Sequence, residues 1–395
     1  MRAVVEDKLG KDSSSFQTHI DRCLGCRACE PVCPAGVQYG QLLEASRAEL
    51  FAPTRKRGFT HFALRFALRH VWLHPGRLQF FFAISRMVRD LGLAKVLLKS
   101  GIPKLVSRRL EFALAMLDSS SSIPLESDIE RDRSATGDTV SKVSGQAPDV
   151  TMLFTGCVGE GLFARVNQAT RRVLHFNGCE TRLPRGQVCC GALHAHAGDL
   201  EGARNLARRN IEAFDDVENA PIVTNAGGCG AMLATYAHLL DDDTLFRERA
   251  QLFSSRVRDI SQQLDSVNFK EGLGRQTETI TYDASCHLLY GQHAGEAPLA
   301  MLRAIPDLRL VPLEGAERCC GAAGIYNLLE PDMSQGVLKE KLAHIRETGA
   351  AILCTGNPGC QMQIGAGAKL GGMPLRVCHP VELLDESYRR AGRYE

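Results

Sequence analysis

The second half of the chain is written twice. A first copy carries TGCVGEG with Cys157, VCCGA with Cys189 and Cys190, and TNAGGCGAM with Cys229. A second carries ASCHLLYG with Cys286, RCCGA with Cys319 and Cys320, and TGNPGCQMQ with Cys360. From single cysteine to pair the step is 32 residues in one copy and 33 in the other, and from pair to last cysteine it is 39 and 40. Within each copy, short β-rich runs (VTMLF and PIVTN, then ITYDA and AILCT) precede the cysteine-bearing turns. Helical stretches such as DLEGARNLARRNIEAF and DMSQGVLKEKLAHIRE follow them. Alternating strands and helices specify two tandem α/β domains with parallel sheets, over 149–266 and 277–395. Sites in such domains form in the loops at the carboxyl ends of the strands, where Cys157, Cys229, Cys286 and Cys360 all fall.

Fifteen cysteines in 395 residues need a chemical explanation. No apolar run reaches the roughly 18 residues that span a membrane, and MRAVVEDKLGKDSSS lacks the apolar core of a signal peptide. A cytoplasmic chain is expected, in which cysteines serve metal or redox chemistry rather than disulfides. Adjacent cysteines followed by glycine fit an ordinary tetrahedral knuckle poorly, but can bridge or bind different irons of a larger cluster. Cys157 and Cys286 are expected at helix N-termini, where the macrodipole lowers a thiol pKa. The bland alternative is four buried structural thiols per domain. Cys179, Cys354 and Cys378 fall outside the repeated frame and read as buried thiols. His194, His196 and His287 read as ordinary hydrogen-bonded residues. GCVGEG is not a dinucleotide loop, because the second copy has SCHLLYG there and shares only the cysteine.

Upstream, RCLGCRACEPVCP places Cys23, Cys26, Cys29 and Cys33 in the spacing C-x2-C-x2-C-x3-C-P. That spacing is the signature of a bacterial-type [4Fe–4S] site, whose fourth cysteine ligates the other cluster of a pair. Zinc sites usually split their ligands into two separated pairs. Only one such run is present, so by that pattern Cys33 points towards a neighbouring cluster. The loop and its helix, Gln41 to Leu50, form a unit over 1–53. A basic helical segment over 54–117 follows, with thirteen Lys or Arg against one acidic residue between Thr54 and Leu110. In FTHFALRFALRHVW, Phe59, Phe62 and Phe66 share one side with His61, Arg65 and Arg69 beside them, an amphipathic pattern suited to anionic lipid or to a partner. Residues 118–148 are Ser-rich and read as a flexible linker. The net charge of +2 gives no general sign of nucleic acid.

HIDRCLGCRACEPVCPAGVQYG, CCGALHAHAG and CCGAAGIY together resemble the iron–sulfur subunit of glycolate oxidase, from His19 to the end of the chain. Related proteins are the lactate-utilisation and anaerobic glycerol-3-phosphate dehydrogenase iron–sulfur proteins and the B subunit of heterodisulfide reductase. The resemblance implies no substrate chemistry in this chain. A separate FAD subunit would oxidise glycolate to glyoxylate, and this chain would pass the electrons to a quinone or similar acceptor. It implies cluster ligands at Cys23, Cys26, Cys29 and Cys33, at Cys157, Cys189, Cys190 and Cys229, and at Cys286, Cys319, Cys320 and Cys360. The chain departs from the pattern twice. Ala226 and Asn357 stand where a fifth cysteine would complete a five-thiolate site, which leaves four-thiolate clusters, or zinc in one copy, open. MRAVVEDKLG resembles the helix that joins two cluster motifs in the family, so either an upstream motif is missing or this variant has lost a cluster. Thiol reduction of the heterodisulfide type and a zinc-binding scaffold for a flavoprotein are the competing readings.

Overall fold

Runs such as Met152, Leu153 and Phe154 are buried on both faces, the condition of a strand inside a parallel sheet. The computed structural model describes residues 1–51, 58–121, 149–215, 217 and 219–394. In the first repeated unit, β1 (Asp149–Phe154), β2 (Cys179–Arg182), β3 (Ile222–Thr224) and β4 (Val257–Asp259) form a parallel sheet of order β2-β1-β3-β4. In the second, β5 (Thr279–Asp283), β6 (Arg309–Val311), β7 (Ile352–Thr355) and β8 (Arg376–Cys378) repeat it as β6-β5-β7-β8. The strand order reverses between β1 and β3, and between β5 and β7. At such a switch point the connections diverge to opposite faces and leave a crevice beyond the strand ends. The expected pair of α/β units with parallel sheets is what the chain forms.

The units are joined through their interiors. One buried cluster takes Phe163, Val173 and Val223 from the first unit and Ile280, Met301 and Tyr388 from the second. Helix Ala164–Phe176 lies against helix Pro380–Arg390. Arg172 donates to both carboxylate oxygens of the buried Asp385, at 2.9 and 2.8 Å, and Arg165 donates to Glu382 at 2.8 Å. A bidentate guanidinium–carboxylate pair fixes orientation as well as distance. The Gly227 N–H also donates to the Gly356 carbonyl at 2.9 Å, linking the loops after β3 and β7.

The N-terminal unit has a small core of Phe16, Ile20, Leu43 and Leu50, from helices Ser14–Asp21 and Tyr39–Phe51. MRAVVEDKLG is helical only over Arg2–Val5, because Asp7 adopts a left-handed conformation (φ 54°) and stops the turn. The basic segment forms helix Phe59–Ala67, a π-helical turn Leu68–Trp72, and helices Pro75–Asp90, Leu93–Ser100, Ile102–Val106 and Arg108–Ser119. Its amphipathic side is not packed inward. Phe62 is 65% exposed and Phe66 56%. Arg86 and Arg89 fasten the segment to the first unit by donating to the Gly161 and Leu162 carbonyls at 2.8 and 2.9 Å. Phe112 and Ala115 fasten it to the second, packing in one cluster with Cys320 and Cys360. The first two residues of the expected linker complete helix Arg108–Ser119, and its stretch 122–148 lies outside the described residues.

His379 gives this assembly a predictable pH dependence. Its side chain accepts from the Val381 N–H at 3.0 Å and caps helix Pro380–Arg390, while burial pulls its pKa from 6.5 down to about 3. The folded state therefore refuses a proton that the unfolded state takes up below pH 6.5. The stability contributed by the neutral ring is complete above that pH and is lost as pH falls towards 3. His379→Asn keeps a capping group that does not titrate. Urea unfolding between pH 7 and pH 4 should show a flatter acid limb for this variant, by about 1 kcal/mol or more.

Candidate metal centres

In the first unit, the turn after β1 delivers Cys157 as the first residue of helix Cys157–Leu162. The turn after β3 delivers Cys229 within helix Gly227–Ala234. Both therefore stand at the switch point. Cys189 and Cys190 come from the loop before helix Ala192–Ala197, and their main chain is held from behind. Asn210 donates to the Cys189 carbonyl at 3.0 Å and Tyr236 to the Cys190 carbonyl at 2.7 Å. The sulfurs meet in a chain: Cys157 donates to Cys189 at 3.4 Å, Cys189 is hydrogen-bonded to Cys190, and Cys190 to Cys229.

The second unit repeats this arrangement. Cys286 follows β5 and is hydrogen-bonded to Cys319, Cys319 is hydrogen-bonded to Cys320, and Cys320 donates to Cys360 at 3.2 Å. Ser334, itself held by Gln363 at 2.9 Å, donates to the Gly321 carbonyl at 2.8 Å. The CCG tripeptide has the same backbone reason in both copies. Gly191 and Gly321 have φ of 90° and 88°, which residues with a Cβ rarely adopt. A methyl group at Gly191 would stand 3.3 Å from the Ala203 Cα, and one at Gly321 2.6 Å from the Ser334 carbonyl oxygen.

The expected lowering of the Cys157 and Cys286 pKa is not found. A hydrogen bond to Cys189, then burial, pushes Cys157 well up; a hydrogen bond to Cys319, then burial, does the same to Cys286. Helix Cys157–Leu162 has one and a half turns, and Cys286 precedes a single π-helical turn. Such short dipoles lose to neighbouring sulfurs in an apolar wall. Within the second unit Cys319 moves the other way, held well below the usual thiol range by hydrogen bonds from Cys286 and Cys320. The Gly321 N–H adds a third donor at 3.4 Å.

This donor set suits a soft metal. Each unit aims four sulfurs at one another, and ionising them together in that wall requires a cation to hold the charge. Among the described residues no group of three or more Cys, His, Asp or Glu already stands at ion-binding spacing.

The N-terminal cysteines lie on the junction of the two units. Burial pushes the Cys26 thiol up, and charge on Cys319 of the second unit adds to the rise together with Cys23 and Cys29. His287, next to Cys286, donates from Nε2 to the Gly25 carbonyl at 3.1 Å. Arg47 donates to the Cys23 carbonyl at 2.6 Å and to the His196 carbonyl at 3.1 Å. Tyr326 donates to the Arg22 carbonyl at 2.9 Å. Within the loop, Glu30 accepts from the Gly40 N–H at 2.7 Å and pairs with Arg27 at 2.9 Å. The Val37 and Ala35 N–H groups hold Cys33 below the usual thiol range, so its sulfur is engaged by its own loop.

The three histidines are hydrogen-bonded as expected: His194 to Asp199 at 2.9 Å, His196 to Glu44 at 3.3 Å, and His287 as above. Cys179, Cys354 and Cys378 are buried away from the repeated sets. All fifteen thiols are unbridged. Sequence reasoning missed what replaces the fifth cysteine. Asn357 donates from Nδ2 towards Cys360 Sγ at 3.5 Å and accepts the Gly228 N–H at 3.1 Å, so it touches a candidate ligand and the opposite unit together. Ala226 offers no such group. The only available signal was the asymmetry of the two repeats at that position.

The cysteine-rich (CCG) domain family matches residues 151–234 and again 280–365, each window enclosing one four-cysteine set. The whole chain is 34% identical over 395 residues to a probable glycolate oxidase iron–sulfur subunit of Bacillus subtilis, covering 98% of this chain and 86% of that protein. Lactate utilization protein A of an Exiguobacterium species is 32% identical over 240 residues, 60% of this chain and 98% of the relative. The Shouchella clausii counterpart is 32% identical over 234 residues, 59% of this chain and 97% of the relative.

Substitution at the two CCG glycines tests the geometry. Gly191→Ala should cost about 1 to 2 kcal/mol from backbone strain. Gly321→Ala should cost more, because its methyl group also meets main chain that cannot swing aside. Urea unfolding of the two variants checks that order.

Proposed function

Because the chain belongs to the family of glycolate oxidase iron–sulfur subunits, we propose that it carries electrons from an FAD-bearing partner, which oxidises glycolate to glyoxylate, towards a quinone or similar acceptor. Cys23, Cys26, Cys29 and Cys33 would hold a [4Fe–4S] cluster. Cys157, Cys189, Cys190 and Cys229 would hold a second metal centre, and Cys286, Cys319, Cys320 and Cys360 a third. Iron–sulfur clusters at these positions would supply one-electron redox steps. The rest falls to the protein. Gly25 N–H faces Cys23 Sγ at 3.4 Å, Gly321 N–H faces Cys319 at 3.4 Å, and Asn357 faces Cys360. Hydrogen bonds to sulfur set the potential of such a centre, and apolar walls keep water from it.

The observation that carries this reading is the seat of the Cys26 loop against the second unit. Two redox sites are useful to one another only when close, and here His287, next to Cys286, is hydrogen-bonded at 3.1 Å to the carbonyl of Gly25, next to Cys26. Among the described residues no helix is long and apolar enough to cross a membrane. The reading places the chain in the cytoplasm, with peripheral contact to the inner membrane face through its basic helices. A lactate-oxidising assembly is the second reading, favoured by the likeness to lactate utilization protein A.

The purified chain, with its metal centres intact, should not reduce a dye with glycolate or lactate. Adding the FAD-bearing partner should restore the reaction with one of the two acids. Robust activity of the flavin-free chain alone would defeat the proposal. Iron analysis with a visible spectrum gives the second arm, because a colourless chain holding only zinc would leave nothing to carry an electron.

A further inference from the structure

We propose that the cavity between helices Ser14–Asp21 and Tyr39–Phe51, the helix Phe59–Ala67 with its π-helical turn, and both α/β units binds the head group of a membrane quinone; this deepens, and rests on, the electron-transfer reading above. The cavity measures about 570 Å³, within the range of small-molecule sites. Its walls combine two chemistries. Phe62, Leu64 and Phe66 give apolar surfaces, and the guanidinium groups of Arg47, Arg65 and Arg69 and the His70 ring line the cavity beside the carboxylates of Asp21 and Glu330. The Phe51 ring is covered by two guanidinium groups, and the exposed Phe62 ring is left for a planar ligand. Arg65 and Arg69 stand 4.7 and 5.5 Å from the centre of the Phe51 ring, and His70 lies 4.6 Å from the Phe66 ring. A quinone head group is a planar ring with a carbonyl oxygen at each end. It needs apolar contact on its faces and donors at its edges.

Position links this cavity to the redox site. Arg47 and Tyr326 both line it, and both donate to the main chain of the cysteine loop, at Cys23 and Arg22. A ring bound there would be separated from that loop by one layer of side chains. Access points to a lipid-dissolved ligand. The outer wall is Phe62 and Phe66, and the same helical segment also exposes Phe80, Phe81 and Leu105, at 63, 51 and 87%. Such apolar exposure within a segment of thirteen basic residues and one acidic residue suits an anionic bilayer surface. A nucleotide acceptor would need a phosphate cradle, and no glycine lines the cavity.

The reaction balances with the assigned partners. The hydroxy acid loses two electrons and two protons at the flavoprotein as its C–OH becomes C=O. The quinone gains two electrons delivered over the cysteine loop and two protons from water at the cavity mouth, and leaves as quinol.

Decylubiquinone is a suitable probe, because its fully substituted ring does not add thiols. Its binding to the full-length chain, measured by ultrafiltration in mild detergent, should saturate at one site. Phe66→Asp, which alters an exposed side chain, should weaken that binding about tenfold. Ala197→Trp, which fills the cavity from its floor, should abolish it. In the complete complex, the ratio of decylubiquinone reduction to ferricyanide reduction should fall by a similar factor in each variant. Absence of saturable binding, or binding and ratio unchanged in both variants, would overturn the cavity assignment. Failure of the unmodified complex to reduce ferricyanide would instead overturn the electron-transfer reading, while the binding measurement still judges the cavity.

Discussion

The hydrogen bond from His287 Nε2 to the Gly25 carbonyl, at 3.1 Å, joins parts of the chain 262 residues apart, and the arrangement of candidate redox sites depends on the seat it marks. Burial pulls the His287 pKa down to about 4, so the ring stays neutral and available as a donor through the physiological range. Arg47 and Tyr326 extend the same seat along the loop. Each contact addresses a carbonyl rather than a side chain. The loop is thereby held by its main chain, and its cysteine side chains are not used in seating it.

Duplication supplied two equal frames, and their contents have diverged. Both units place a single cysteine after the first strand and another after the third, because the same sheet order puts its crevice there. In the first unit Cys157, Cys189 and Cys190 are all pushed up, and the main chain of the pair is backed by Asn210 and Tyr236. In the second, Cys319 is drawn towards the anionic form by its neighbours, and Asn357 adds a donor at Cys360. The N-terminal loop is hydrogen-bonded to the second unit, at His287 and Tyr326. Unequal surroundings give otherwise similar centres different potentials, as a directed flow of electrons requires.

The parallel sheets were legible because each central strand is a short β-rich run followed within a few residues by a cysteine, with glycine in the intervening turn after β1, β3 and β7. The role of Asn357 was not legible, since its partner Gly228 lies 129 residues away and only folding brings them together. The direction of the Cys157 pKa was misread for a related reason. The helix start is local and visible in sequence, whereas Cys189, 32 residues on, decides the outcome. Periodicity likewise marked an amphipathic helix around Phe62 and Phe66 without saying which side would be covered. Packing of the neighbouring helices leaves those rings outside.

The account stands on closeness between the N-terminal centre and the centre of the second unit. EPR spectroscopy of the reduced full-length chain measures it, because two nearby paramagnetic centres broaden and relax each other. The account predicts a coupled signal that becomes a simple isolated spectrum when Cys360→Ser disables the second-unit site. Two independent signals in the unmodified chain, with the N-terminal one unaltered by that substitution, would contradict it.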